Sequence, residues 1–258
     1  PKSATFRTAD VVGLDTLKNV SLTTYEKALA DEERDIFQIP EILEKLIESD
    51  RLGQKSKAGF YKKMEDRSIH SVDLKTGEYI PQGRVRFDCY RIAKDHQKLE
   101  DKLCALVYGD DRGSKYFWEL TARTLIYSAN RVPEISNDIV NIDNAMKWGF
   151  AWEAGPFEGW DALGVRRTTK RMIAEGKKVP KWVLEMLESG RETFYSVDNG
   201  QRTYWCPNGK HPVKIKQNPK EFNLALHKTA GHTIKRDLSA SVNDMGDSIL
   251  NVEFHSIL

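Results

Sequence analysis

Cysteine is scarce in this chain, and its spacing builds nothing. Cys89, Cys104 and Cys206 are three among 258 residues, odd in number, far apart and without a Cys-x-x-Cys pair. That argues against a structural zinc site and for a reducing compartment, with the thiols serving as small buried hydrophobes. Long apolar runs are missing too. No stretch approaches the roughly 20 residues of a membrane-spanning helix, and no signal-peptide pattern opens the chain. Gly-x-Gly-x-x-Gly occurs nowhere, so the usual phosphate cradle for a dinucleotide is not written here. The first residue is Pro1 rather than Met, and the chain opens inside a motif, which reads as a piece of a longer polypeptide.

What is present suits a globular protein. Charged residues make up 30% and hydrophobic ones 40%, enough to bury a core, and 258 residues suit about two domains. The formal net charge of +2 hides basic runs. Arg166, Arg167, Lys170, Arg171, Lys177, Lys178 and Lys181 are opposed locally only by Glu175, and Lys210, Lys214, Lys216 and Lys220 form a second run. Such runs attract nucleic acid or phosphate-bearing ligands. Here the four residues from Arg166 to Arg171 fall at helical spacing with no aromatics between them. A solvated helix face is therefore the expectation, and no nucleic-acid partner.

One pattern occurs twice. Phe6-Arg7-Thr8-Ala9-Asp10-Val11-Val12-Gly13-Leu14 and Phe157-Glu158-Gly159-Trp160-Asp161-Ala162-Leu163-Gly164-Val165 both read Phe-x-x-x-Asp-x-x-Gly-aliphatic. Similar segments follow each copy. Pro40 to Arg51 aligns without gaps on Pro180 to Arg191, with Pro, Glu, Ser and Arg coinciding. Leu43, Leu46 and Ile47 match Val183, Met186 and Leu187, apolar at the spacing of one helical face. Pro suits the first turn, where its missing N–H has no partner anyway, and Gly190 suits a stop. Each copy continues with an aromatic pair, Phe60-Tyr61 or Phe194-Tyr195. Each then has a turn, at Lys75-Thr76-Gly77 or at Asp198-Asn199-Gly200, the latter a hairpin signal. An internal duplication is the expectation. In the shared motif the Phe and aliphatic positions suit a core, Gly13 and Gly164 a tight helix end, and the Asp a cap. Asp10 or Asp15 is accordingly expected to cap a short helix.

Between the copies, Lys94–Tyr108 and Ser114–Arg131 read as amphipathic helices, the second marked by Phe117, Leu120, Leu125 and Ile126 and stopped before Pro133. A third helix, capped by Ser136 and ending at Gly149, carries Ile139, Val140, Asp143 and Met146. The fold class expected is mainly α with small β-hairpins. The expected domains are 1–92, 93–218 and a linker with a further domain's start over 219–258.

The stretch from Asn137 to Gly164, which contains Asp143-Asn144-Ala145-Met146 and Gly155-Pro156-Phe157-Glu158, is very similar to the C-terminal domain of 3-hydroxyacyl-CoA dehydrogenases. Pro1 to Asp15 resembles the same motif in an earlier copy, departing from Gly-Pro-Phe in its Ala4-Thr5. That form resembles the large fused dehydrogenases of fatty-acid β-oxidation. Ser239 to Ser256 looks like the first hairpin of a crotonase (enoyl-CoA hydratase) domain. The resemblance implies two related C-terminal-type domains, the first lacking its opening helices, followed by the first strands of a crotonase domain.

It also implies a parent that oxidises an L-3-hydroxyacyl-CoA with NAD. There a His held by a Glu takes the hydroxyl proton, from a Rossmann domain outside this chain. No catalytic or cofactor-binding residue is then expected here. Asn130, in Ser128-Ala129-Asn130-Arg131, resembles the family's Asn-Arg motif but is expected to be structural. Phe6, Thr8 and Asp10 are the candidates for walling the acyl-CoA cleft, while Gly13, Phe157, Asp161 and Gly164 form the structural motif. The expected partners are the acyl-CoA substrate and the parent's own Rossmann and crotonase domains. A bacterial or archaeal source would make the protein cytoplasmic. His227 and His232, five apart without a carboxylate at ligand spacing, suggest no metal, and His70 and His96 have no nucleophile beside them. A competing class is a non-catalytic helical docking module, which a large apolar patch without a CoA-shaped groove would mark.

Overall fold

A computed structural model describes residues 4–83, 85–198, 200–216, 223–229 and 232–255. Pro1, Asn199, Lys220 and Ser256, invoked above, lie outside the described residues. The chain forms two compact units, Pro1–Arg86 and Phe87–Leu258.

The first unit opens with two helices, α1 (Thr5–Val12) and α2 (Leu14–Lys27), and α3 (Glu41–Glu48) follows after a loop with a short 3-10 turn. A three-stranded antiparallel sheet completes it: β1 (Tyr61–Lys63), β2 (Ile69–Val72) and β3 (Tyr79–Pro81), in that order. Leu14, Leu43, Leu46, Phe60 and Val72 form its core, with Leu17 and Ile47 packed against it. The turn at Gly77 takes φ +77°, the left-handed region glycine enters without a Cβ clash.

The second unit opens with seven helices: α4 (Asp88–Asp95), α5 (Leu99–Tyr108), α6 (Arg112–Asn130), α7 (Ile139–Phe150), α8 (Pro156–Leu163), α9 (Val165–Ala174) and α10 (Lys181–Glu188). An antiparallel sheet follows, β4 (Tyr195–Asp198), β5 (Gln201–Cys206) and β6 (His211–Lys214). A short α11 (Leu224–Thr229) precedes a third sheet, β7 (Thr233–Arg236), β8 (Ala240–Asp244) and β9 (Leu250–Phe254), also antiparallel. The architecture is mainly α with small sheets. No helix among the described residues is long and apolar enough to cross a membrane.

An aromatic cluster centres the second unit. Phe157, Trp160 and Phe194 are fully buried, with ring centroids 5.1 Å (Phe157–Phe194) and 5.2 Å (Trp160–Phe194) apart. The Trp160 indole N–H donates to the Thr168 hydroxyl at 2.6 Å, so the buried polar atom has its partner.

Several local expectations are corrected. Neither motif aspartate caps its own helix. Asp10 and Asp161 lie inside α1 and α8, and Asp15 sits in the first turn of α2, paired with Lys55. Asp138, not Ser136, caps α7, accepting the Asn141 N–H at 2.8 Å. α7 runs past Gly149 to Phe150 and stops at Ala151, which takes a left-handed φ of 53°. Lys94 lies in the last turn of α4 rather than beginning α5. The buried stripe of α6 is Trp118, Ala122, Leu125 and Ala129, whereas Leu120 is exposed. Phe6 does not join the core as Phe157 does: it is 45% exposed, its ring 4.6 Å from that of Phe60. The α9 arginines do meet aromatics, supplied by other elements. Arg167 lies over Tyr108 and Arg171 over Trp118, at 3.5 and 4.0 Å from the ring centroids. The basic run also finds carboxylates beyond Glu175, with Arg166 on Glu192, Lys177 on Glu119 and Lys210 on Glu185.

Candidate functional site

In the first unit, Asp10 faces inward from α1. One carboxylate oxygen accepts the Phe60 N–H at 2.8 Å and the other the Tyr61 N–H at 2.9 Å. One side chain thus clamps a helix to the start of β1. The approach is possible only because two glycines give way. A Cβ on Gly59 would stand 2.2 Å from the Asp10 Oδ1, and one on Gly53 (φ +100°) 2.3 Å from the Asp10 carbonyl oxygen.

An open cleft of about 450 Å³ lies beside this clamp, lined by Arg7, Asp10, Lys57, Tyr61, Lys63 and neighbours. Of the three candidates for a substrate wall, Asp10 lines it. Phe6 and Thr8 lie outside its lining, and the Thr8 hydroxyl donates to the Ala4 carbonyl at 3.2 Å. Gly13, at φ +99°, makes the turn between α1 and α2.

In the second unit Asp161 makes the corresponding bonds. Its carboxylate accepts the N–H groups of Phe194 and Tyr195 at 2.7 and 2.8 Å, clamping α8 to the start of β4. Gly164, at φ +85°, joins α8 to α9. A second buried acid lies close by. Asp143, on the inward face of α7, accepts the Phe157 and Glu158 N–H groups at the N-terminus of α8 (2.8 and 3.1 Å) and the Tyr195 hydroxyl at 2.8 Å. The N-cap residue of α8 is Gly155, which has no side chain to offer, so α7 supplies the cap. Gly155 is required there, since a Cβ would fall 2.4 Å from the Asp143 Cγ. Glu158 completes the network, accepting from Lys147 (2.9 Å), Arg202 (2.8 Å) and the Gly155 N–H (3.1 Å).

Burial sets the charges. It pushes Asp161 up to about 7 and Asp143 up to about 6, against the pull of their N–H donors. Burial also works on Glu158, but the bonds from Lys147 and Arg202 prevail and hold it below the usual carboxylate range. The Tyr195 hydroxyl is raised, first by burial and then by the Asp143 charge beside it. This arrangement holds helices to strands. Both oxygens of Asp161 are occupied by backbone donors.

Asp143 and Glu158 are not among the candidate positions read from the sequence; the signal for Asp143 is an acid inside the apolar stripe of α7, four residues after the fully buried Ile139. Asn130 ends α6. The rings of His227 and His232 stack at 4.1 Å, and the described residues hold no group of three metal-type ligands. All three described sheets are antiparallel.

Residues 2–63 match the family described as 3-hydroxyacyl-CoA dehydrogenase, C-terminal domain. The matched residues lie within the first unit. The chain is 41% identical over 256 residues to a probable 3-hydroxyacyl-CoA dehydrogenase of Bacillus subtilis (strain 168), covering 99% of this chain and 32% of that protein. It is 29% identical over 252 residues to a putative fatty acid oxidation complex trifunctional enzyme of Rickettsia prowazekii (strain Madrid E), covering 87% of this chain and 33% of that one. The corresponding protein of Rickettsia felis (strain ATCC VR-1525 / URRWXCal2) is 29% identical over 175 residues, covering 63% and 23%. The chain spans a third or less of the length of these curated relatives. It is a relative of the 3-hydroxyacyl-CoA dehydrogenases of fatty-acid oxidation.

Proposed function

We propose that this chain is the non-nucleotide-binding part of an NAD-dependent L-3-hydroxyacyl-CoA dehydrogenase of fatty-acid β-oxidation. In this reading residues 1–92 and 93–218 are two copies of one domain, and 219–258 lead into a crotonase domain that adds enoyl-CoA hydratase activity. The observation that carries the reading is the repeated clamp. In both segments the Asp of Phe-x-x-x-Asp-x-x-Gly accepts the two successive N–H groups of a Phe-Tyr pair that opens a sheet. Two unrelated segments have no physical reason to share the motif, the positive-φ Gly three residues on and the same two bonds.

The parent would pass hydride from the 3-hydroxyl carbon to NAD while a His held by a Glu takes the hydroxyl proton. Both residues, and the nucleotide, belong to the Rossmann domain. The residues of this chain contribute framing. The first copy walls the acyl-CoA cleft, with Phe6, Thr8 and Asp10 nearest the Rossmann domain, and the second copy packs as a dimer partner packs in single-domain relatives. The paired clamps make that frame rigid, which preserves the geometry a positioned base requires.

The test compares the purified chain with the longer protein that contains it, using 3-hydroxybutyryl-CoA and NAD. The longer protein should form NADH and the chain alone none. NADH formed by the 258-residue chain would sink the framing role, and none from the longer protein would sink the enzyme assignment.

A further inference from the structure

We propose that Asn208 is a self-modification site: the turn between β5 and β6 leaves its side chain free to cyclise onto the Gly209 nitrogen and convert to isoaspartate. The reacting groups belong to one dipeptide, and the co-reactant is water.

The turn reads Cys206-Pro207-Asn208-Gly209-Lys210-His211, and its ends are pinned. The Lys210 N–H donates to the Cys206 carbonyl at 2.8 Å, and Cys206 pairs with His211 across the strands. The His211 Nδ1–H donates to the Gly209 carbonyl at 2.8 Å, because a carbonyl can only accept. The middle of the turn is free. Asn208 and Gly209 are exposed, and neither the Asn208 amide nor the Gly209 N–H has a hydrogen-bond partner among the described residues. Asparagine is among the thermolabile residue types, and the residue after it decides whether it reacts. Asn19 and Asn144 also have unengaged amides, but they stand inside α2 and α7, where the next N–H is committed to the helical ladder. After Asn208 comes a residue without a side chain, so nothing shields the attacking nitrogen. A Cβ on Gly209 would stand 2.4 Å from the His211 Cε1, so the ring lies where any larger residue would have to displace it.

The Gly209 nitrogen attacks the Asn208 Cγ and gives its proton to water. As the new N–C bond closes a cyclic imide, the Cγ–Nδ2 bond breaks and ammonia leaves. Water then opens the imide. Attack at the Asn208 main-chain carbonyl breaks its bond to nitrogen and leaves isoaspartate, with the backbone running through Cγ. Attack at Cγ leaves ordinary aspartate. Isoaspartate lengthens the main chain inside a turn whose ends are fixed, and it sets a new carboxylate next to Lys210, whose Nζ lies 2.9 Å from Glu185 on α10. β6 is an edge strand bonded to β5 alone, so it is the element that a lengthened turn releases.

The experiment keeps the whole 258-residue chain in mildly alkaline buffer and follows it by peptide mapping and isoaspartate assay. The free peptide Cys-Pro-Asn-Gly-Lys-His runs beside it as the unrestrained reference. Expected are release of ammonia and isoaspartate at Asn208 in the folded chain, at a rate comparable with that of the peptide. Gly209→Ala and Asn208→Gln should each lose most of the conversion, with tryptophan fluorescence melts showing that both variants fold. In the converted protein, hydrogen exchange should quicken in β6 and hold in α8. An Asn208 that stays intact in the folded chain while the peptide converts overturns the proposal. So does conversion confined to Asn199, the other asparagine that precedes a glycine, or a folded Gly209→Ala chain converting as fast as the native one. Unchanged exchange in β6 after conversion overturns its release. The site stands apart from the dehydrogenase reading: a longer protein that forms no NADH leaves it in place, and an inert Asn208 leaves that assay untouched.

Discussion

Replacing Asp161 with Ala should cost more stability in acid than in base. The substitution strips the acceptor from two N–H groups, of Phe194 and Tyr195. Phe194 is fully buried, so water does not take its place. Each orphaned donor costs roughly 1–3 kcal/mol, which makes about 4 kcal/mol for the pair. A charge effect works against this. The Asp161 carboxyl sits at about 7 in the fold, raised by burial, against an ordinary aspartate value of 3.8. The folded state therefore binds the proton more tightly than the unfolded chain does. The stability this contributes is fully present below the unfolded value and is lost as pH rises through about 7.

Between pH 5 and pH 8 that linkage removes about 2–3 kcal/mol from the native protein, and nothing from the Ala variant. The penalty should thus be about 4 kcal/mol at pH 5 and about half or less at pH 8. The assay is built in: all six tryptophans lie between residues 118 and 205, within the second unit, so their fluorescence melts report that unit alone. At roughly 2–4 °C per kcal/mol for a unit of this size, the native melting temperature should drop about 5–10 °C more than the variant's from pH 5 to pH 8. Asp143, raised to about 6 for the same reason, leaves a residual slope of the same sign in both proteins. A variant whose pH profile is as steep as the native one would refute the linkage.

Two further outcomes follow from the same contacts. Gly59→Ala drives a methyl to 2.2 Å from the Asp10 Oδ1, so the first clamp should open. Hydrogen exchange at Phe60 and Tyr61 should accelerate while tryptophan fluorescence melts stay in place. Asp143→Ala uncaps α8 and strands the Tyr195 hydroxyl, with a cost of about 2–3 kcal/mol from a lost cap and a lost buried bond. Asp143→Asn should recover part of it, read by denaturant unfolding.

Local patterns were legible and distant ones were not. The helices after Pro40 and Pro180 follow directly from their apolar faces, and Leu43, Leu46, Val183 and Met186 are buried. α4 has no legible period because Asp88–Asp95 turns only Cys89 and Ala93 inward, too short a stripe to carry one. The motif aspartates show how a residue type misleads. Asp near a helix start suggests a cap, yet Asp10 and Asp161 bond to residues 50 and 33 positions downstream, and no periodicity reaches so far. The aromatic partners of Arg167 and Arg171 were hidden for the same reason.

That separation along the chain has a kinetic meaning. The helices holding Asp10 and Asp161 can form from neighbours in sequence, whereas each clamp must close a loop, of 50 residues in one unit and 33 in the other. Closure entropy differs between them by only roughly 0.4 kcal/mol, so neither unit is held back much more than its counterpart. Each clamp must wait for its loop to close. Until they close, Phe60-Tyr61 and Phe194-Tyr195 are bare sheet-forming segments, the parts of a newly made chain most in need of protection from other chains.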